Sequence, residues 1–189
     1  NVIGDVRDIE TIGNICLEKN ILFVVDGAQS IGHKKIDVNK CNISFLAFSG
    51  HKMLGPTGIG VLYGKYDLLN DMDTLKYGGG MNAYFEADSS YELKDVPWKF
   101  QAGTQNIAGV IGLGKAIDYL NSIGLDKIHE YEFDLKRFAI SELEKIPNIT
   151  IYNKNTDSGI VVFNIDKVFS QDTAVFLNRF NICVRSGNH

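Results

Sequence analysis

No stretch of this sequence stays apolar for anything near the ~18 residues that a membrane-crossing helix requires, so none of its hydrophobic runs reads as a span. Basic charge is not in excess either. Nineteen Lys and Arg stand against 23 Asp and Glu, for a net charge of −4. That balance leaves no electrostatic footprint for nucleic acid and no polybasic run for an anionic membrane surface. Cysteine is sparse: Cys16, Cys41 and Cys183 are far apart, odd in number and without metal-ligand spacing. They offer no disulfide framework, and an odd count without one fits a reducing compartment. What remains is ordinary for a globular chain: 189 residues, 44% hydrophobic and 22% charged, enough for one sizeable core.

The informative stretch is FSGHKMLGPTGIGVLYG, Phe48–Gly64. An apolar run, Ile43–Phe48, ends at Ser49-Gly50-His51-Lys52. A turn follows at Gly55-Pro56-Thr57-Gly58, then a second apolar run, Ile59–Tyr63. The pattern reads strand, polar turn, strand, with Pro56 fixing its own φ and Gly58 able to take a positive one. Upstream, Ile21–Val25 is a short continuous apolar run, as expected of a strand buried on both faces, and it ends at Asp26-Gly27-Ala28-Gln29. In open α/β sheets, ligands bind outside the carboxyl ends of the strands. A strand-end acid beside a strand-end amine suits pyridoxal phosphate. Lys52 would form the Schiff base, and Asp26 would keep the pyridine nitrogen protonated.

The remainder of the chain fits around this. Asp5–Asn20 has helical apolar spacing. Asp67–Leu75 reads as a short helix, the glycines at 78–80 as a close approach or a loose connection, and Tyr84–Val96 as irregular. Asn106–Ile123 reads as a helix with Val110, Leu113, Ile117 and Leu120 on one face. Its glycines, each costing up to ~1 kcal/mol in a helix, call for close packing. Ile128 to Ile146 outlines another helix, ended by Pro147. His129 on it reads as a boundary residue. Ile149–Tyr152 and Ile160–Ile165 read as an antiparallel hairpin, Gln171–Phe180 as a helix, and Ile182–Val184 as a strand that buries Cys183. Cys41 reads as an incidental loop thiol. The expected domains are 1–121 and 122–189.

DGAQ, SGHKMLGPTGIGVLYG, WKFQAGTQN and VRSGNH together resemble the class V aminotransferase superfamily of fold type I. More narrowly, they are similar to the SUF-type cysteine desulfurases. The resemblance implies an α/β fold in which 1–121 is the C-terminal part of the cofactor-binding large domain and 122–189 a small α+β domain. It implies that Gln29 hydrogen-bonds the ring oxygen of pyridoxal phosphate, that Ser49 and His51 contact its phosphate, and that Thr104 reaches the phosphate of the other subunit of a homodimer. Thr104 is otherwise an N-cap for the next helix. Arg185 would take the substrate α-carboxylate, which its planar fork matches in two places. It opens the family's R-x-G-x-H pattern with Gly187 and His189.

The activity implied is conversion of L-cysteine to L-alanine. Sulfur would pass to an enzyme cysteine as a persulfide and on to an acceptor protein of the SUF system for iron–sulfur cluster assembly. Selenocysteine lyase, another class V lyase and a non-catalytic scaffold are the alternatives. A cytoplasmic setting is expected, with a plastid-type organelle as the alternative. In the SUF type the nucleophilic cysteine follows R-x-G-x-H directly, and none of the three cysteines here matches it. Since the chain opens on NVIGDVRDIE and stops at His189, it is expected to be a fragment. By itself it should therefore be inactive, so the isolated 189-residue chain incubated with L-cysteine should release neither alanine nor sulfide. Release of both would contradict the expectation.

Overall fold

The computed structural model describes residues 1–187. Asn188 and His189, the latter closing the R-x-G-x-H pattern, lie outside the described residues. Two compact units emerge, residues 8–125 and residues 1–7 with 126–187. The sequence division at 121/122 differs from this chiefly in residues 1–7, which group with the later unit.

Unit 8–125 begins with α1, Ile9–Glu18. Asp8 starts it four residues (5–8) later than the periodicity implies, because its carboxylate caps the helix by accepting the Thr11 N–H at 3.0 Å. Strands β1 (Val24–Asp26), β2 (Phe45–Ser49) and β3 (Gly60–Gly64) form a sheet in that order. β1 pairs parallel to β2, and β2 pairs antiparallel to β3. The register sets Val25, Leu46 and Tyr63 in one row and Asp26, Ala47 and Leu62 in the next, so the rows face opposite ways.

The first face carries the core. Val25, Cys41, Ile43 and Leu46 form the buried core, with Ile9, Phe23, Ile31 and Ile36 packed against it. Cys41 lies in a loop as expected but is buried in the core there, and burial pushes its pKa up. Gly13 of α1 is obligatory there, since a Cβ would fall 1.8 Å from the Cys41 carbonyl oxygen. On the other face Val24 is 64% and Leu62 55% exposed. The expectation that β1 is buried on both faces is therefore not met among the described residues.

A short helix α2 (Tyr66–Asp71) follows. Next comes an antiparallel hairpin of β4 (Asn82–Phe85) and β5 (Tyr91–Leu93), where the sequence reads as irregular. Its turn is closed by Asp88, which accepts the Ser90 N–H at 2.9 Å, and by Glu86 N–H donating to the Ser90 carbonyl at 2.8 Å. α3, Ile107–Ile123, ends the unit. It buries Gly109, Leu113, Ala116 and Leu120, whereas Val110 and Ile117 of the expected inward face are exposed.

In the other unit, α4 (Leu125–Leu143) is followed by an antiparallel pair, β6 (Ile149–Ile151) and β7 (Phe163–Ile165), and then α5 (Ser170–Asn178). Residues 1–7 are held by Asn153, 2% exposed. Its amide donates to the carbonyls of Ile3 (2.8 Å) and Ile160 (2.7 Å) and accepts from Val162 N–H (2.8 Å). His129, half-buried, pairs with Asp157 at 2.9 Å. Residues 182–184 form no strand and Cys183 is exposed, which corrects the reading of a packed strand cysteine. Val184 is exposed too, so no described neighbour gives that segment a core to join.

The most buried side chain of α4 is Lys136, whose ammonium donates to the Thr156 carbonyl (2.6 Å) and hydroxyl (2.7 Å). Desolvation lowers its pKa, against the smaller opposing pull of Asp157. The folded state therefore holds fewer protons than the unfolded chain between that lowered value and the ordinary 10.5. The penalty on the charged form is fully present below the window and fades as pH rises through it, so stability rises with pH there. Urea denaturation across the alkaline range should show this rise, and Lys136→Met should remove it. An equal rise in the variant would rule Lys136 out as its source.

Candidate active site

β1 and β2 run parallel, so their carboxyl ends emerge on the same edge. Asp26 is the last residue of β1 and pairs with Ala47, and the ladder continues with Gly27 N–H donating to the Ala47 carbonyl at 2.8 Å. β2 runs two residues beyond Ala47 to Ser49, then passes directly into a 3₁₀ turn, Gly50–Met53, that carries His51 and Lys52. The edge thus gathers a carboxylate, a hydroxyl, an imidazole and an amine.

Each of these is set by local chemistry. The Asp26 carboxylate accepts the Ala28 N–H at 2.9 Å, an Asx-type turn that fixes the acid relative to its own backbone. The following turn is closed by Ser30 and Ile31 N–H groups donating to the Gly27 carbonyl, both at 3.0 Å, and Gln29 is exposed on it. This segment then passes close under the lysine turn: a Cβ on Gly32 would meet the Lys52 carbonyl oxygen at 3.1 Å and the Met53 Cα at 3.2 Å. Gln29 and Lys52 therefore belong to neighbouring turns in direct backbone contact.

The lysine turn is stiff. Gly50 N–H donates to the Ile59 carbonyl at 2.8 Å, and Gly55 N–H donates to the Gly50 carbonyl at 2.9 Å. Leu54 takes φ +64 at the end of the 3₁₀ turn, and Gly58 takes the expected positive φ, +76. Met53 is buried while His51 and Lys52 are exposed. Burying one side chain and closing both ends with backbone bonds leaves the two polar side chains directed outward. Among the described residues, the side chains of Gln29, Ser49, His51 and Lys52 make no hydrogen bond or ion pair, so no described residue competes with a ligand for them.

Thr104 lies exposed in the loop before α3. It is not the helix cap. Asn106 is, accepting the Gly109 N–H at 2.9 Å. The loop is tied back by Gly103 N–H donating to the Gly79 carbonyl at 2.8 Å. Of the glycines at 78–80, Gly78 admits a close approach, a Cβ there falling 3.2 Å from Ala102 Cβ, whereas Gly79 and Gly80 meet no described atom within 4 Å. Arg185 belongs to the other unit and is exposed, beyond the end of α5. Asn106 was missed as a site residue. An Asn just ahead of an apolar helix signals a cap, but nothing local to it announces its second bond, to the Gly58 carbonyl at 3.3 Å.

The aminotransferase class-V family profile matches residues 1–189, and the chain belongs to that family. It is 45% identical over 190 residues to a probable cysteine desulfurase of Halalkalibacterium halodurans, covering 100% of this chain and 46% of the relative. A cysteine desulfurase of Wigglesworthia glossinidia brevipalpis is 42% identical with the same coverage. Among solved structures, the Escherichia coli cysteine desulfurase CsdA superposes with a TM-score of 0.92 at 35% identity, over 97% of this chain and 46% of that one. A cysteine desulfurase of Thermococcus onnurineus NA1 superposes at 0.89 with 37% identity, over 100% and 48%. The chain spans about half the length of these relatives. The α/β architecture expected from the sequence, that of fold type I, is the one these neighbours share.

Proposed function

We propose that the protein this chain belongs to is a pyridoxal phosphate-dependent cysteine desulfurase. The observation that carries the reading is the meeting of Asp26 with the Ser49–Lys52 segment at the carboxyl ends of two adjacent parallel strands. The family and the cysteine desulfurase relatives support it.

The donor set fits the cofactor. The edge offers an acid, a primary amine, a hydroxyl, an imidazole and an amide, the side chains beyond Asp26 being unengaged by any other described residue. When bound, pyridoxal phosphate supplies an electrophilic aldehyde and an electron-withdrawing ring. Asp26 holds a proton on the ring nitrogen, and Gln29 binds the ring oxygen. Ser49 and His51 hold the phosphate, with Thr104 acting on the phosphate of a second subunit in a homodimer. Lys52 is the point of attachment and then the base that moves the proton at the substrate α-carbon. Arg185 binds the substrate carboxylate.

In the net reaction the C–S bond of L-cysteine breaks and an S–S bond forms to an enzyme thiol. The α-amino acid leaves as L-alanine, its β-carbon having gained a proton. The thiol is not one of those described. Cys41 is buried with its pKa raised, and neither Cys16 nor Cys183 has a cationic partner in the described residues, so none has the electropositive setting of a reactive thiolate. The persulfide sulfur goes to a SUF acceptor for iron–sulfur cluster assembly in the cytoplasm.

Full-length protein mixed with pyridoxal phosphate and passed through a desalting column should retain a visible absorption band and turn cysteine into alanine. Lys52→Ala should lose the band and the turnover. An unchanged band in Lys52→Ala, or a wild-type protein that retains none, would overturn the assignment.

A further inference from the structure

The turn that carries His51 and Lys52 is held from outside its own sequence by the first turns of α3. Gly112 lies against Pro56, close enough that a Cβ would sit 2.6 Å from the proline Cγ. The Leu113 side chain reaches Gly55 and Gly50, its Cδ1 within 3.0 and 3.4 Å of where their Cβ atoms would stand. The only polar link between α3 and this turn among the described residues comes from Asn106, whose amide works in two directions. Its oxygen accepts the Gly109 N–H at 2.9 Å and caps the helix. Its nitrogen donates to the Gly58 carbonyl at 3.3 Å.

Gly58 is one residue from Ile59, whose carbonyl receives the Gly50 N–H at 2.8 Å. Gly50 begins the 3₁₀ turn in which Lys52 sits. The Asn106 tether therefore acts at the far end of the loop that places the amine, where φ is +76 and the backbone has no side chain to anchor it. Apolar packing of Gly112 and Leu113 resists movement of the loop toward α3 but not sliding along it. A directional bond does resist sliding.

We infer that Asn106 is a positioning residue for Lys52, acting through the Gly58 carbonyl, and that this role is separate from its capping of α3. The inference rests on the reading of Lys52 given above. It concerns how the amine is placed rather than what it does. The two roles use opposite ends of one amide, so substitution can part them. Ser and Asp cap helices about as well as Asn. A Ser hydroxyl ends one bond short of the amide nitrogen. An Asp carboxylate puts an acceptor where the donor stood.

The test uses full-length protein and the variants Asn106→Ser, Asn106→Asp and Asn106→Ala. Three quantities are read: the thermal midpoint, the dissociation constant for pyridoxal phosphate, and the pH midpoint of the absorption band that depends on Lys52. The Ser and Asp variants keep the cap, so their thermal midpoints should stay closer to wild type than that of the Ala variant. Both should bind the cofactor roughly fivefold more weakly, the worth of one neutral hydrogen bond, and both should move the pH midpoint in the same direction. The Ala variant should show these changes and a lower thermal midpoint as well.

Wild-type cofactor binding and pH midpoint in the Ser variant would overturn the inference. So would a change confined to the Asp variant, which marks the added charge. Cofactor loss that merely follows a falling thermal midpoint in all three would show a cap and nothing more. Failure of the Lys52 reading would be seen separately, in the comparison of wild type with Lys52→Ala before any Asn106 variant is made.

Discussion

The parallel pairing of β1 with β2 is the constraint on which everything else depends. Asp26 and Lys52 are remote in sequence, and only the ladder that matches Val24 with Phe45 and Asp26 with Ala47 brings their strand ends to one edge. Side chains alternate along a strand, so a slip of one residue would turn Asp26 to the other face and carry the acid away from the lysine turn. The register is pinned from the core side. Val25 and Leu46 are paired there and both buried, and the Ser44 hydroxyl, also buried, accepts the Phe23 N–H at 3.0 Å just before the strands begin. Apolar burial on one face thus decides where a carboxylate stands on the other.

Past the strand ends, precision depends first on backbone hydrogen bonds, with the Asn106 amide as a side-chain tether. The lysine turn is closed by Gly50 to Ile59 and Gly55 to Gly50 hydrogen bonds, with Leu54 and Gly58 at positive φ. A left-handed Leu is uncommon and has to be held by its surroundings. Buried Met53 and the close approach of Gly32 supply that support. The polar side chains are left free because the backbone carries the structural load. The uncovered sheet face, with Val24 and Leu62 exposed, is consistent with a chain that spans about half the length of its relatives.

Much of this was legible in the sequence. The apolar runs ending at Asp26 and Ser49 located two strands and the edge they share, and Gly58 announced its positive φ. The hairpin at 82–93 was not legible, because β4 is exposed throughout and β5 nearly so. Apolar alternation, the signal for a half-buried strand, is therefore absent. The inward face of α3 was read half right, for a different reason. Leu113 and Leu120 are buried as read, but Val110 and Ile117 are exposed, and the helix instead turns in the small residues Gly109 and Ala116 and sets Gly112 against Pro56. Lys136 was invisible for a third reason, since a lysine on a helix reads as solvated until the carbonyl that receives it, Thr156, is seen folded over it. The second bond of Asn106 joins residues far apart in the chain and leaves no local pattern.

The central claim is that the amine at position 52 is the one that holds the cofactor. The direct measurement is borohydride reduction of the full-length protein loaded with pyridoxal phosphate, followed by proteolysis and mass spectrometry of the peptides. The expected result is a pyridoxyl mass increment on Lys52 alone. An increment on another lysine, with Lys52 unmodified, would contradict the account.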